Sequence, residues 1–81
     1  MHPVKKFLAR LPAQLRDHVQ ALIERVSVGD TSALDCTKLR GKDNCYRVSH
    51  GRFRIFFHRE HGFNIVDRVE FRTTTTYRKH R

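Results

Sequence analysis

Apolar residues recur along this chain in two different periods, and the change from one to the other falls near Gly29. Before it the spacing is helical. Val4, Phe7, Leu8 and Leu11 stand at i, i+3, i+4 and i+7, one apolar stripe over two turns. Pro12 interrupts the stripe and suits the first turn of a new helix, where its missing N–H costs nothing. Leu15, Val19, Leu22, Ile23 and Val26 then repeat at helical spacing, with Arg16, Asp17, Gln20 and Glu24 on the outer side. The spacing therefore predicts helices near 4–11 and 13–28, ended by Gly29 as a left-handed cap.

Beyond Thr31 and Ser32 the period becomes two. Residues 34–39 are a weak strand candidate, and 45–50 alternate clearly. Gly51-Arg52 fits a two-residue hairpin turn with glycine first, pairing Ser49 with Arg54, Val48 with Ile55 and Arg47 with Phe56. Strands are predicted over 53–59 and 63–71. The second turn reads as a three-residue loop, Glu60-His61-Gly62, with Gly62 at positive φ. That register sets Phe57 beside Ile65, Phe56 beside Val66, Arg54 beside Arg68 and Phe53 beside Val69. A two-residue loop would put Ile55 opposite Arg68 and mix the faces. Thr73 to Thr76 favour extended backbone and suggest a short exposed strand or tail. The expected fold class is α+β: one domain spanning 1–81, with a helical hairpin at about 4–28 and a small antiparallel sheet of three or four strands at about 34–79.

Charge changes this picture. The net charge of +9 is segregated: residues 1–36 carry five Lys/Arg against four Asp/Glu, and residues 37–81 carry twelve against four. A sheet so basic points to a polyanion or an acidic protein as partner. No apolar run approaches the ~18 residues of a membrane span, and a leader's hydrophobic region is absent from the charge-mixed first thirty residues. Cys36 and Cys45 form no C-x-x-C pair and read as small core residues of a cytoplasmic protein rather than as nucleophiles.

On this register one sheet face displays Arg47, Ser49, Arg54, His58, Arg68 and Arg72, with Phe56 and Val66 among them, and the helices cover the other. Guanidinium groups match phosphate geometry and stay charged at any pH. Arg54 facing Arg68 is a repulsion that an anion would relieve. Lys38, Arg40 and Lys42 around Gly41 form a basic loop that reads equally as a solvated turn or as a contact to an RNA backbone. His50, His58 and His61 lack the Cys or acidic partners of a metal site, so no metal or cofactor is expected.

Lys38-Leu39-Arg40-Gly41, the hairpin from Tyr46-Arg47 through Gly51 to Phe53-Arg54, and Val69-Glu70-Phe71-Arg72 followed by Tyr77 together resemble toxins of the RelE/ParE superfamily, nearest to the RelE-like mRNA interferases. The likeness spans roughly residues 4–79. It implies two helices on a small antiparallel sheet and metal-free cleavage of ribosome-bound mRNA, in which a 2′-hydroxyl attacks the phosphate beside it. By that resemblance Arg54 braces the phosphate, Arg72 stabilises its developing charge and Tyr77 stacks on a base. Arg47 and Ser49 stand where such enzymes tend to carry lysines, so a proton-transfer group must come from elsewhere. His58 has the intrinsic pKa for it and shares the arginine face, whereas strand parity puts His50 on the other. The resemblance also implies a strand before the first helix, which this chain lacks, leaving a bare sheet edge open to a partner strand or to self-association. The implied partners are mRNA on the ribosome and an acidic antitoxin protein, with no membrane. Two other readings stay open: a ParE-like inhibitor of DNA gyrase, and a catalytically degenerate RNA-binding member.

Overall fold

The computed structural model describes residues 2–72, and its elements run α1 (Pro3–Ala9), α2 (Ala13–Ser27), β1 (Asp35–Lys38), β2 (Cys45–His50), β3 (Phe53–Glu60) and β4 (Phe63–Phe71). The four strands form one antiparallel sheet in chain order. Thr73 to Thr76 and Tyr77 lie outside the described residues.

Both helices start and stop for local reasons. His2 caps α1 by accepting the Val4 N–H on its ring nitrogen at 3.1 Å, and Pro3 follows in the first turn. At the far end of α2, Gly29 takes φ +84°. Its N–H reaches the Val26 carbonyl at 3.0 Å, and the Asp30 N–H reaches that of Arg25 at 2.8 Å. This is the Schellman arrangement, and it turns the chain towards β1.

The helical hairpin lies over β4 and closes one core. Leu11, Val19, Leu22 and Val26 meet Val48, Phe53, Ile55, Phe57 and Val69, all buried. Phe7, Phe53 and Phe71 form an aromatic trio with ring centroids 5.2–6.2 Å apart. Asn64 binds helix to sheet by donating its amide to the Val26 carbonyl at 2.9 Å, while its oxygen accepts from Arg59 Nε at 3.1 Å. No described element covers β1, and all four of its residues are exposed. Cys36 is therefore not a core residue, contrary to expectation. Partial burial nonetheless pushes its thiol up, so it is not an activated nucleophile either.

The first hairpin has the expected register, with Arg47 opposite Phe56, Val48 opposite Ile55 and Ser49 opposite Arg54. The second does not. Its loop has two residues, His61 at φ +54° and Gly62 at φ +82°, the double positive φ of a tight primed turn, with Glu60 facing Phe63. The mixed faces that argued against this loop are avoided by a bulge at Asp67. Phe57 pairs with Val66 and Phe56 with Arg68, leaving Asp67 as the extra residue. Consequently Arg54 faces Glu70 rather than Arg68, and Phe53 faces Phe71 rather than Val69. Ile65, expected in the core, is 40% exposed beside His58, while Val66 packs inward.

Candidate functional site on the open sheet face

The face away from the helices carries Arg47 and Ser49 from β2, Arg54, Phe56, His58 and Glu60 from β3, and Asp67, Arg68 and Glu70 from β4. Arg72 follows directly after β4 and donates from Nη1 to the Gly51 carbonyl at 3.2 Å. Four arginines share this face with three carboxylates, but the two signs are not evenly mixed. Glu60 and Asp67 are taken up by His58, and Glu70 by Arg68. Among the described residues Arg47, Arg54 and Arg72 make no ion pair, so the free positive charge gathers towards the turn between β2 and β3.

Arg47 and Arg54 hold the most telling atoms of the face. Both Nε atoms are buried and have no hydrogen-bond partner among the described residues. A buried donor left unmade costs roughly 1–3 kcal/mol, and more when the group is charged. The two residues stand in adjacent cross-strand rows, Arg47 beside Phe56 and Arg54 beside Ser49. An acceptor with several oxygens laid between the rows would meet the outer guanidinium nitrogens of both, the Nε atoms being closed to it.

His58 is bracketed. Its Nδ1 lies 2.9 Å from each Asp67 oxygen, and its Nε2 lies 3.2 Å from Glu60 Oε1. The Asp67 hydrogen bond, then that of Glu60, holds the imidazolium above the ordinary histidine range, against a smaller opposing effect of burial. With a carboxylate at each nitrogen, the bracket favours the protonated, acid form of the ring. His50 faces the helices instead, its ring centroid 5.4 Å from that of His18.

A relative of this fold is known. The chain is similar, with a TM-score of 0.67 and 26% identity, to a chain in the crystal structure of a RelB–RelE antitoxin–toxin complex from Methanococcus jannaschii, over 90% of this chain and 88% of that one. The likeness relates the chain to toxin–antitoxin systems and accounts for the α+β architecture. No protein-family model and no curated protein matches the sequence.

The remaining candidates are dispersed. Arg40 and Lys42 are exposed in the loop between β1 and β2. Lys38 pairs with Tyr46 and so has the opposite parity from Arg47. Arg68 stays on the open face as expected, but over Phe56, with Cζ 3.9 Å from the ring centroid and Nε 2.9 Å from Glu70 Oε2. Tyr77 lies outside the described residues.

Sequence reasoning missed the three carboxylates. Asp67 reaches this face because the two-residue turn shifts the parity of the first half of β4, and the signal for an irregularity there was an aspartate inside an otherwise β-favouring run, where it is depleted. Glu60 was assigned to a loop. Glu70 was masked by the pairing of Arg54 with Arg68. No described helix is long and apolar enough to cross a membrane.

Proposed function

We propose that this chain is the toxin of a toxin–antitoxin pair and cuts mRNA on the ribosome. The observation that carries the reading is the set of Arg47, Arg54 and Arg72, none in an ion pair among the described residues, on the sheet face away from the helices. A phosphodiester accepts from their outer guanidinium nitrogens, and bidentate guanidinium pairing gives both affinity and orientation. Its likeness to a chain of an antitoxin–toxin complex supports the biological setting.

In this reading the 2′-hydroxyl oxygen bonds to the adjacent phosphorus, its proton passing to water, and the bond from phosphorus to the 5′-oxygen breaks. Arg47 and Arg54 hold the phosphate oxygens through the crowded transition state, with Ser49 between them as a neutral donor. Arg72, aimed by its hold on the Gly51 carbonyl, adds charge at the turn end. Fixed cations of this kind act where negative charge develops. His58 lies diagonally across from Arg47 and supplies the proton to the leaving 5′-oxygen, an acid rather than the base that the missing lysines first suggest. An acidic antitoxin covers the same face, and its capture weakens as salt rises.

Inducing the protein in bacteria and mapping mRNA 5′ ends tests this. Defined cuts inside coding frames, abolished by Arg54→Ala, are expected. Normal transcripts accompanied by inhibited DNA supercoiling would select a gyrase poison instead.

A further inference from the structure

Arg68 is held more firmly than an exposed arginine needs to be. At 3.9 Å from Cζ to the Phe56 centroid the guanidinium sits close over the ring, and so short a distance favours a stacked over an edge-on arrangement. The two other arginine–aromatic contacts among the described residues, Arg52 over Phe71 and Arg59 over Tyr46, are looser at 5.9 and 5.8 Å. Glu70 Oε2 at 2.9 Å from Nε then fixes the rotation of the plane. One face and one edge are occupied, yet 52% of the side chain remains exposed, so the outer face of the plane is presented to solvent.

We infer that this outer face is a stacking platform for one nucleobase of the RNA whose phosphate Arg47 and Arg54 hold; the inference rests on the RNA reading above. Three observations favour a base over a second phosphate. The charge of Arg68 is already countered by Glu70, which lowers its value as a phosphate clamp. Its in-plane Nε–H is spent on that carboxylate, while its π-face is free. An aromatic ring supports it from beneath, making a three-layer stack of phenyl, guanidinium and base. The position fits as well. Arg47, Phe56 and Arg68 form one cross-strand row, and Ser49, Arg54 and Glu70 form the next. The rows are about 7 Å apart along the strands, so a base on Arg68 and a phosphate on Arg54 can belong to neighbouring parts of one strand. The rotamer entropy of the arginine is spent before binding, which preorganises the platform. Every base has a π-face, so the platform positions the strand and does not by itself select a sequence.

The test uses ribosome-bound mRNA with a 2′-deoxy substitution at the cut site, which removes the nucleophile, and a single 2-aminopurine walked across the codon in the decoding site. Wild-type protein is expected to quench the probe at one position. Arg68→Lys keeps the charge and loses the plane, and is expected to weaken binding roughly tenfold, abolish that quench and leave the salt dependence unchanged. Phe56→Leu removes the supporting ring and is expected to act in the same direction. Melting curves of both variants establish that they are folded. If Arg54→Ala abolishes binding while folded Arg68→Lys binds and quenches like wild type, the platform is wrong and the RNA reading stands. A shallower salt dependence in Arg68→Lys would make it a phosphate clamp, and loss of affinity only for an acidic protein partner would make it a protein contact; either overturns the platform. Absence of wild-type binding overturns both readings.

Discussion

Replacing Arg54 by methionine is expected to stabilise the protein while removing a guanidinium from the proposed phosphate contact. Arg54 Nε is buried on the sheet without a partner. Methionine keeps the unbranched stem and removes the orphaned donor, recovering roughly 1–3 kcal/mol. Part of that gain is lost. The outer guanidinium nitrogens of this half-buried residue are solvated, and its attraction to Glu70 across the strands is worth up to about 1 kcal/mol in a water-like medium. The net expectation is a gain of about 1 kcal/mol, which in a domain of this size raises Tm by roughly 4–8 °C. Thermal unfolding followed by circular dichroism, in low-salt buffer without phosphate, measures it. Arg52→Met is the control, since Arg52 is exposed and only loosely placed over Phe71, and it should change stability by no more than ~0.5 kcal/mol. Inorganic phosphate should raise the Tm of the wild type and have less effect on Arg54→Met. A variant no more stable than wild type in phosphate-free buffer would refute the reasoning, because the donor would then cost nothing in the free protein.

Other expectations follow from single contacts. The folded His58 is held protonated above its ordinary value, so its bracket stabilises the fold fully below about pH 6.5 and the contribution is lost as pH rises through the raised folded value; Asp67→Asn should lower the His58 pKa seen by NMR titration and flatten that part of the stability profile. Asn64→Ala removes the side-chain tie between β4 and the end of α2 and should cost about 1 kcal/mol in urea unfolding. Gly62 sits at φ +82° in the second hairpin turn, so Gly62→Ala should destabilise by roughly 1–2 kcal/mol with the fold retained.

Much of the fold was legible because its signals are local. The 3.6-residue stripe from Leu15 to Val26, the cap at Gly29 and glycine at the first position of the Gly51-Arg52 turn each specify geometry within a few residues. The second hairpin was misread because its two irregularities compensate each other. A tight turn at His61-Gly62 shifts parity near the loop, and the extra residue at Asp67 restores it beyond. Arg68, Val69 and Arg72 therefore stand on the expected faces while Ile65 and Val66 exchange theirs, and every cross-strand partner of β4 changes. The candidate arginines were accordingly visible in sequence, but their pairing was not. Which guanidinium is neutralised and which is left free depends on where Glu60, Asp67 and Glu70 land, and that depends on the tight turn and the bulge together.

In the proposed reaction the guanidinium groups of Arg47, Arg54 and Arg72 hold a phosphodiester while its own 2′-hydroxyl cuts it. Cleaving mRNA on purified ribosomes with the purified protein, and identifying the chemical ends, tests it most directly. The account expects a 2′,3′-cyclic phosphate on one fragment and a 5′-hydroxyl on the other, with cleavage lost in Arg54→Ala and in mRNA carrying a 2′-deoxy nucleotide at the cut. Fragments bearing 5′-phosphates, or cleavage that persists in either of those two cases, would contradict it.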